Sequence, residues 1–308
     1  MLWFIIIFVA VLFIYHHFIY PKLLAMLAAK APQKVIDDTP LSHRETPSIG
    51  VFIAAYNEAD YIEEKLHNLA SQLYPNDKMG IHIVGDGCTD ATADVVKRVS
   101  AHLHEQFIYC TYDEIAVNAG KVNALNTLIK RYRDEYDIIV FTDVSALMSV
   151  NCLEQVARSM VNKDVVAVSG NYLPKSSTHG CLDKYWQYQN AVRRLEGQLG
   201  AVNGFAGAMF AMRADKVKPL LSKTINDDFV QLVSALGKEQ CASFNDQIAI
   251  IECEQDNQTQ DFSRRIRIGA GNWQQLNTIF KRVNQFSLAQ TFSFFSNKVL
   301  RGVMPVML

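Results

Sequence analysis

The sequence predicts an α/β fold: a mostly parallel sheet flanked by helices, tethered by an N-terminal transmembrane helix and followed by a C-terminal interfacial or membrane segment. Three observations carry this. Between residues 49 and 143, short apolar runs alternate with segments of helical period, the rhythm of a sheet wound with crossover helices. The runs lack polar alternation, which fits strands buried on both faces. Third, the first twenty residues, MLWFIIIFVAVLFIYHHFIY, hold no Asp, Glu, Lys or Arg, a length and composition that suit a membrane-spanning helix.

The chain has 308 residues, 49% of them hydrophobic, and a formal charge of −1. That is enough for a large core, in one big domain or two smaller ones. A charge near zero gives no electrostatic case for a nucleic-acid partner. Cys88, Cys110, Cys152, Cys181, Cys241 and Cys253 are scattered, without a CxxC pair or zinc-ligand spacing; they read as reduced thiols on the cytosolic side.

Residues 1–21 are the predicted transmembrane helix. Lys22, Lys30 and Lys34 follow it and only the amino terminus precedes it. The positive-inside rule then puts the start outside and the rest in the cytoplasm, at the inner (cytoplasmic) membrane of the cell. A cleaved signal peptide, the rival reading, needs a charged start and a small-residue cleavage site. Residues 22–47 are a linker, with Pro32, Pro40 and Pro47 and no apolar period. A domain over 48–258 follows. IGVFIAA (49–55) is the first strand, and Ile62, Leu66, Leu69 and Leu73 mark a helix. IHIVG (81–85) is the second strand, and Val95, Val96, Val99 and Leu103 mark a helix capped by Thr89 or Asp90. FIYCTY (107–112) is the third strand, Val122, Leu125, Ile129 and Tyr132 mark the third helix, and DIIVFTD (137–143) closes the series. KYWQYQNAVRRLEGQLG (184–200) has a long helical pattern whose aromatic residues pack the core, and GFAGAMF (204–210) is a close-approach loop. Residues 259–308 are amphipathic and turn apolar from Val303, as an interfacial helix or as the start of another membrane helix.

In such sheets ligands bind beyond the carboxyl ends of the strands. After the first strand stands AYNE (Ala55 to Glu58), after the second DGCTD (Asp86 to Asp90), after the fourth TDVS (Thr142 to Ser145). Three polar strand ends mark one pocket.

The stretches PSIGVFIAAYNE, YIEEKLHNLASQLYP, IVGDGCTDATADVV, NAGKVNALN, IIVFTDVSA, GAMFAMR, NDDF and RRIRIGAGNW run in this order from Pro47 to Trp273. In them the chain resembles the family 2 glycosyltransferases of the GT-A nucleotide-sugar fold, and their membrane-bound, polysaccharide-building branch. The resemblance implies a nucleotide-sugar donor, a UDP-sugar, and a glycan or lipid-linked acceptor. It further implies Mg2+ or Mn2+, contact with the membrane, and partner subunits for polysaccharide synthesis or export. By the same resemblance Ala55 and Tyr56 floor the base slot, Glu58 accepts from ribose or uracil, and Asp86 meets the uracil imide. Lys121, beside Gly120 at a helix start, suits a phosphate. The family's Asp-x-Asp metal motif is here Asp143-Val144-Ser145, so one carboxylate and a neutral hydroxyl would hold the cation, with diphosphate and water completing its shell. The family's base, the last acid of its Thr-Glu-Asp-like triplet, falls on Asp228, with Asp227 beside it on the acceptor side and able to raise its pKa by repulsion. Arg264, Arg265 and Arg267 stand where processive members carry Gln-x-x-Arg-Trp and would bind diphosphate; the Gln and Trp are absent, so processivity does not carry over. Trp273 would wall the acceptor.

Structural alternatives stay open for these positions. Glu58 suits the first turn of a helix, Asp86 a turn with Asp90 as cap, Lys121 a solvated face, and Asp143 a cap. Asn226 and Asp227 can cap a helix, and the arginines can line a basic membrane-surface helix. Two other functions compete: a non-catalytic glycosyltransferase-like subunit, supported by the altered motifs, and a dinucleotide enzyme, opposed by the absence of GxGxxG after the first strand.

Overall fold

The computed structural model describes residues 2–31, 41–174, 181–253 and 258–302. The chain opens with α1 (Leu2–Ile14), a π-helical turn (Tyr15–Ile19) and α2 (Tyr20–Ala28). The helix therefore continues past residue 21. Pro21 has no N–H to offer the carbonyl four residues back, and a widened turn just ahead of it is a usual way to absorb that loss. Trp3, Phe4, Ile7, Phe8, Val11, Phe13, Ile14, Phe18 and Ile19 are all exposed, whereas Tyr20 and Leu24 are buried against Val192. The span Ile6–Ala28 is long and apolar enough to cross a membrane. The exposed band from Trp3 to Ile19 has a rise of roughly 25 Å, close to the thickness of a bilayer core.

β1 (Ile49–Ala55), β2 (Met79–Asp86), β3 (Tyr109–Ile115) and β4 (Ile138–Thr142) pair in parallel, with α3 (Ile62–Ala70), α4 (Thr92–Glu105) and α5 (Lys121–Tyr132) between them in sequence. Then come β5 (Ala146–Met148), α6 (Cys152–Ser159), β6 (Val165–Pro174), α7 (Cys181–Gln198), β7 (Met209–Arg213), α8 (Asp227–Ala235), β8 (Cys241–Glu252), α9 (Gln258–Arg282) and α10 (Leu288–Ser293), which passes into a π turn (Phe294–Val299). The described strands form one sheet in the order β3-β2-β1-β4-β7-β6-β8-β5. β7 runs antiparallel to both β4 and β6, and β5 antiparallel to β8. This mixed half lies beyond Asp143, where the simple alternation of strand and helical period stops.

Successive residues of a strand face opposite sides, and β1 shows the consequence. Val51 and Ile53 join Leu66, Leu69, Val96, Val99, Leu153 and Val156 in one core layer. Phe52, between them, joins Leu125, Leu128, Phe141, Phe210, Phe229, Leu232 and Ile279 in the other. Each such fully buried side chain contributes about 1.5–3 kcal/mol relative to exposure. The second layer includes Phe286 and Phe294, so the C-terminal helices are part of the domain's core. Ser287 and Gln290 start α10 with a capping box, each side chain bonded to the other's backbone N–H at 3.2 and 3.1 Å.

Candidate active site

The carboxyl ends of β1, β2 and β4 meet the amino ends of α5 and α8. The loop after β1 is stapled to the loop after β2. Asn57, at φ 54°, accepts the Thr89 N–H through Oδ1 at 2.8 Å. The Glu58 N–H donates to Thr92 Oγ1 at 2.8 Å. Asp90 accepts from the N–H groups of Thr92 and Ala59 at 3.0 and 3.1 Å, so it ties the first residue of α4 to the loop after β1, although the N-cap itself falls on Ala91 and not on Thr89 or Asp90. Of the predicted base-slot residues, Tyr56 is exposed and Ala55 is buried.

Asp86 is buried, and both its oxygens are engaged: Oδ1 accepts from Ala119 N and Oδ2 from Gly120 N, each at 2.8 Å. It thus fixes the two residues ahead of Lys121. Gly87 does allow a close approach, but by the neighbouring loop. A Cβ there would lie 2.4 Å from Asn118 N, and φ is +71°.

Lys121 reaches across to Asp143, Nζ to Oδ1 at 2.6 Å, and lies 4.0 Å from Asp227. Burial works against its charge, but the carboxylates of Asp143, Asp227 and Asp228 hold the ammonium above the ordinary lysine value. The Asp143 side chain is 38% exposed while Ser145 is 8% exposed, so the first reaches the rim and the second lies beneath it. The Asp143 N–H donates to the Ala208 carbonyl at 2.9 Å and the Ser145 carbonyl accepts from Cys253 N at 2.9 Å. Under this turn sits Lys65, fully buried, which donates to Thr142 Oγ1 at 2.8 Å and to the Ala146 carbonyl. Burial pushes its ammonium down to about 8.

Asp227 and Asp228 open α8. Burial, and then repulsion from Asp227, push the Asp228 carboxyl up to about 6, while Lys298 and Lys121 pull it down. Gly207, at φ +80°, backs this carboxylate. A Cβ there would lie 3.7 Å from Asp228 Oδ2, an ordinary van der Waals contact, so it is the positive φ and not the space that calls for glycine. α9 packs against the same motif. Gln274 bonds the Ile225 N–H and the Lys223 carbonyl at 3.1 and 3.0 Å, and a Cβ at Gly271 would lie 2.6 Å from Asn226 Nδ2. Trp273 and Arg267 are exposed on α9. Arg264 and Arg265 lie on the same helix, with side chains outside the described residues.

The structure therefore brings Lys121, Asp143, Asp227 and Asp228 together. Lys65 and Lys298 went unread in the sequence. A lysine on the apolar face of a helix, next to Leu66 and Leu69, was the signal for the first. The second is a lone cation in the otherwise uncharged run FSFFSNKVL.

A profile for glycosyl transferase family 2 matches residues 50–221. Among curated relatives, the poly-beta-1,6-N-acetyl-D-glucosamine synthase of Staphylococcus epidermidis is 27% identical over 186 residues, covering 57% of this chain and 42% of that protein. Its namesake in Staphylococcus aureus strain MSSA476 is 29% identical over 178 residues, covering 56% and 41%. The chain thus spans less than half the length of these relatives. Among solved structures, the mannosyltransferase PcManGT from Pyrobaculum calidifontis, in complex with GDP-Man and Mn2+, superimposes with a TM-score of 0.77 at 24% identity, over 97% of this chain and 82% of that one. TarS of S. aureus does so at 0.52 and 14%, over 84% and 52%. Both likenesses show the nucleotide-sugar fold. The family profile covers more than half of the residues and takes in the acidic strand ends of β1, β2 and β4: the chain belongs to glycosyl transferase family 2.

Proposed function

We propose that this protein is an inverting glycosyltransferase of polysaccharide biosynthesis. It moves a sugar from a UDP-sugar, most simply UDP-N-acetylglucosamine, to a glycan or lipid-linked acceptor at the cytoplasmic face of the membrane. The observation that carries this reading is the pairing of a carboxyl raised to about 6 at Asp228 with the Lys121–Asp143 ion pair at the end of β4. One group suits proton removal near neutral pH, and the other suits a diphosphate. The choice of sugar follows the names of the curated relatives.

The acceptor hydroxyl attacks the anomeric carbon as its proton passes to Asp228. The new C–O bond forms while the bond to the diphosphate breaks, and UDP leaves with the electron pair. One displacement with one base inverts the anomeric centre. Lys121 offers its ammonium to the diphosphate, and Asp86 holds the loop that aims it. Tyr56 and Glu58 lie at the nucleotide end, and Asp227, Trp273 and the α9 arginines at the acceptor and diphosphate side.

A divalent cation fits a donor set of one carboxylate, Asp143, and the Ser145 hydroxyl only if phosphate and water supply most of its shell. Among the described residues no cluster of three His, Cys, Asp or Glu could hold a metal ion by itself. Bound there, Mg2+ or Mn2+ would neutralise charge growing on the leaving diphosphate. Lys121 pairs with Asp143 at 2.6 Å. The donor's phosphates give that ammonium another partner and release the carboxylate. We place Trp3–Ile19 in the membrane with the amino terminus outside.

The test is nucleotide release by the full chain in membranes supplied with UDP-N-acetylglucosamine, other UDP-sugars and GDP-mannose. Release with UDP-sugars, abolished in Asp228→Asn, supports the reading. No release with any donor, beside intact UDP binding, would favour the non-catalytic subunit.

A further inference from the structure

Lys298 lies on the π turn after α10, far in sequence from every motif of the site. Its ammonium stands over the Phe229 ring, 5.4 Å from the centroid, and Phe229 is the next residue after Asp228. It also fills the space that a side chain on Gly204 would take: a Cβ there would lie 2.5 Å from Nζ. Gly204 thus makes room for Lys298, and three residues on Gly207 lies in van der Waals contact with Asp228, so the loop GFAG borders the cation and the acid together.

The register of this lysine is set by its neighbours. Glu196 of α7 is fully buried, and its Oε1 accepts from Asn297 Nδ2 at 2.9 Å, Ser293 Oγ at 3.1 Å, Asn203 Nδ2 at 2.9 Å and Tyr20 Oη at 2.7 Å. Tyr15 Oη and Ser296 Oγ lie 2.8 Å apart, and His16 Nδ1 lies 3.0 Å from the Ser296 carbonyl. Hydrogen bonds in a buried, low-dielectric setting are stronger than those in water. These bonds lock the C-terminal helix to α7 and to the N-terminal helix, with Lys298 one residue from Asn297.

We propose that Lys298 is a positioning residue for the Asp228 base: a fixed internal cation, delivered by the C-terminal helix, that keeps Asp228 ionised and aimed in a site already crowded by Asp227. This rests on the reading of Asp228 as the base. Among the described residues, the charged groups around Asp228 include Asp227 on its own helix, Lys121 on α5, Arg193 on α7 and Lys298. Those around Lys298 are Arg301 on its own helix, Arg193 and Glu196 on α7, and Asp228. Asp227 works against ionisation of Asp228. Lys121 is committed to Asp143 at 2.6 Å, and Arg193 donates to the Phe205 carbonyl at 3.3 Å and stacks on Trp186 at 5.6 Å. Lys298, whose ammonium lies over the ring next to Asp228, is the strongest of these cations in offsetting Asp227.

The test has two arms on the full chain in detergent or nanodiscs. In the first, transfer is followed against pH for the wild type, Lys298→Met and Lys298→Arg. The acidic limb of the profile should move up by about one pH unit in Lys298→Met and return in Lys298→Arg, with UDP affinity unchanged in both. An acidic limb that stays in place while activity drops would overturn the proposal, since a purely structural lysine behaves that way. The second arm needs no turnover: the difference in unfolding stability between Asp228 and Asp228→Asn is followed against pH, with Lys298 and with Lys298→Met. Its midpoint should rise by the same unit when the lysine is removed; an unmoved midpoint overturns the proposal. A wild type that transfers no sugar but shows this displacement would refute the proposed function alone.

Discussion

Replacing Asp228 by Asn should slow transfer and stabilise the fold at the same time. The carboxyl stands at about 6 against an ordinary 3.8, which corresponds to about 3 kcal/mol of penalty on the ionised form in the folded chain. The sign follows from linkage. The folded-state value is the higher one, so between 3.8 and about 6 the folded chain holds a proton that the unfolded chain has lost. Stability therefore falls as pH rises through that window, and above it the whole penalty is present. Asn cannot ionise, so Asp228→Asn should gain up to about 3 kcal/mol of unfolding free energy at neutral pH and almost nothing well below the window. Its turnover should drop about 10²–10⁴-fold, the worth of a general base. Denaturant unfolding at two pH values and nucleotide release at the upper one measure both. An equal gain at both pH values would show that the strain is not electrostatic, and turnover above about a tenth of wild type would show that Asp228 is not the base.

Asp86→Ala should weaken UDP binding about tenfold or more, because it frees the two N–H groups ahead of Lys121; an unchanged affinity would count against the placement. Asp143→Ala should lose metal-dependent transfer, Ser145→Ala much less, and Ser145→Asp should tighten metal binding in the nucleotide-free protein. Calorimetric titration of the wild type with magnesium should show weak binding alone and strong binding with UDP. Tight binding without UDP, or full activity in chelator, contradicts the one-carboxylate site. Cysteine labelling should find the amino terminus outside and the region after Ala28 in the cytoplasm; the reverse would leave the donor site on the wrong side. Wild-type activity should rise with pH to a plateau as the Asp228 carboxyl, raised to about 6, loses its proton.

Local physics made the first half of the fold legible. IGVFIAA and DIIVFTD are buried strands with no rival reading, and β1 and β4 occupy them within a residue. The second half was harder because β6, β7 and β8 pair with partners distant in sequence, and antiparallel reversal leaves no mark in the apolar pattern. The acids of the site were visible because a carboxylate at the end of an apolar run stands out. Their partners were not. Asp86 looked like a ligand for a base, and whether its oxygens turn to backbone N–H groups depends on the path of another loop. Lys298 carries no local signature of burial, and a lysine among apolar helix positions, as Lys65 is, usually extends its ammonium to water. Glu196 and Arg193 lie in a long helical pattern read only for its aromatic residues, and both are buried where the terminal helices pack on α7.

The proposed reaction is a single displacement assisted by Asp228. The anomeric configuration of the first product, read by proton NMR from an α-linked UDP-sugar donor, tests it most directly. The wild type should give a β-linked product, and Asp228→Asn at most about a hundredth as much. An α-linked product would mean retention, and with it a mechanism that one base at Asp228 cannot provide.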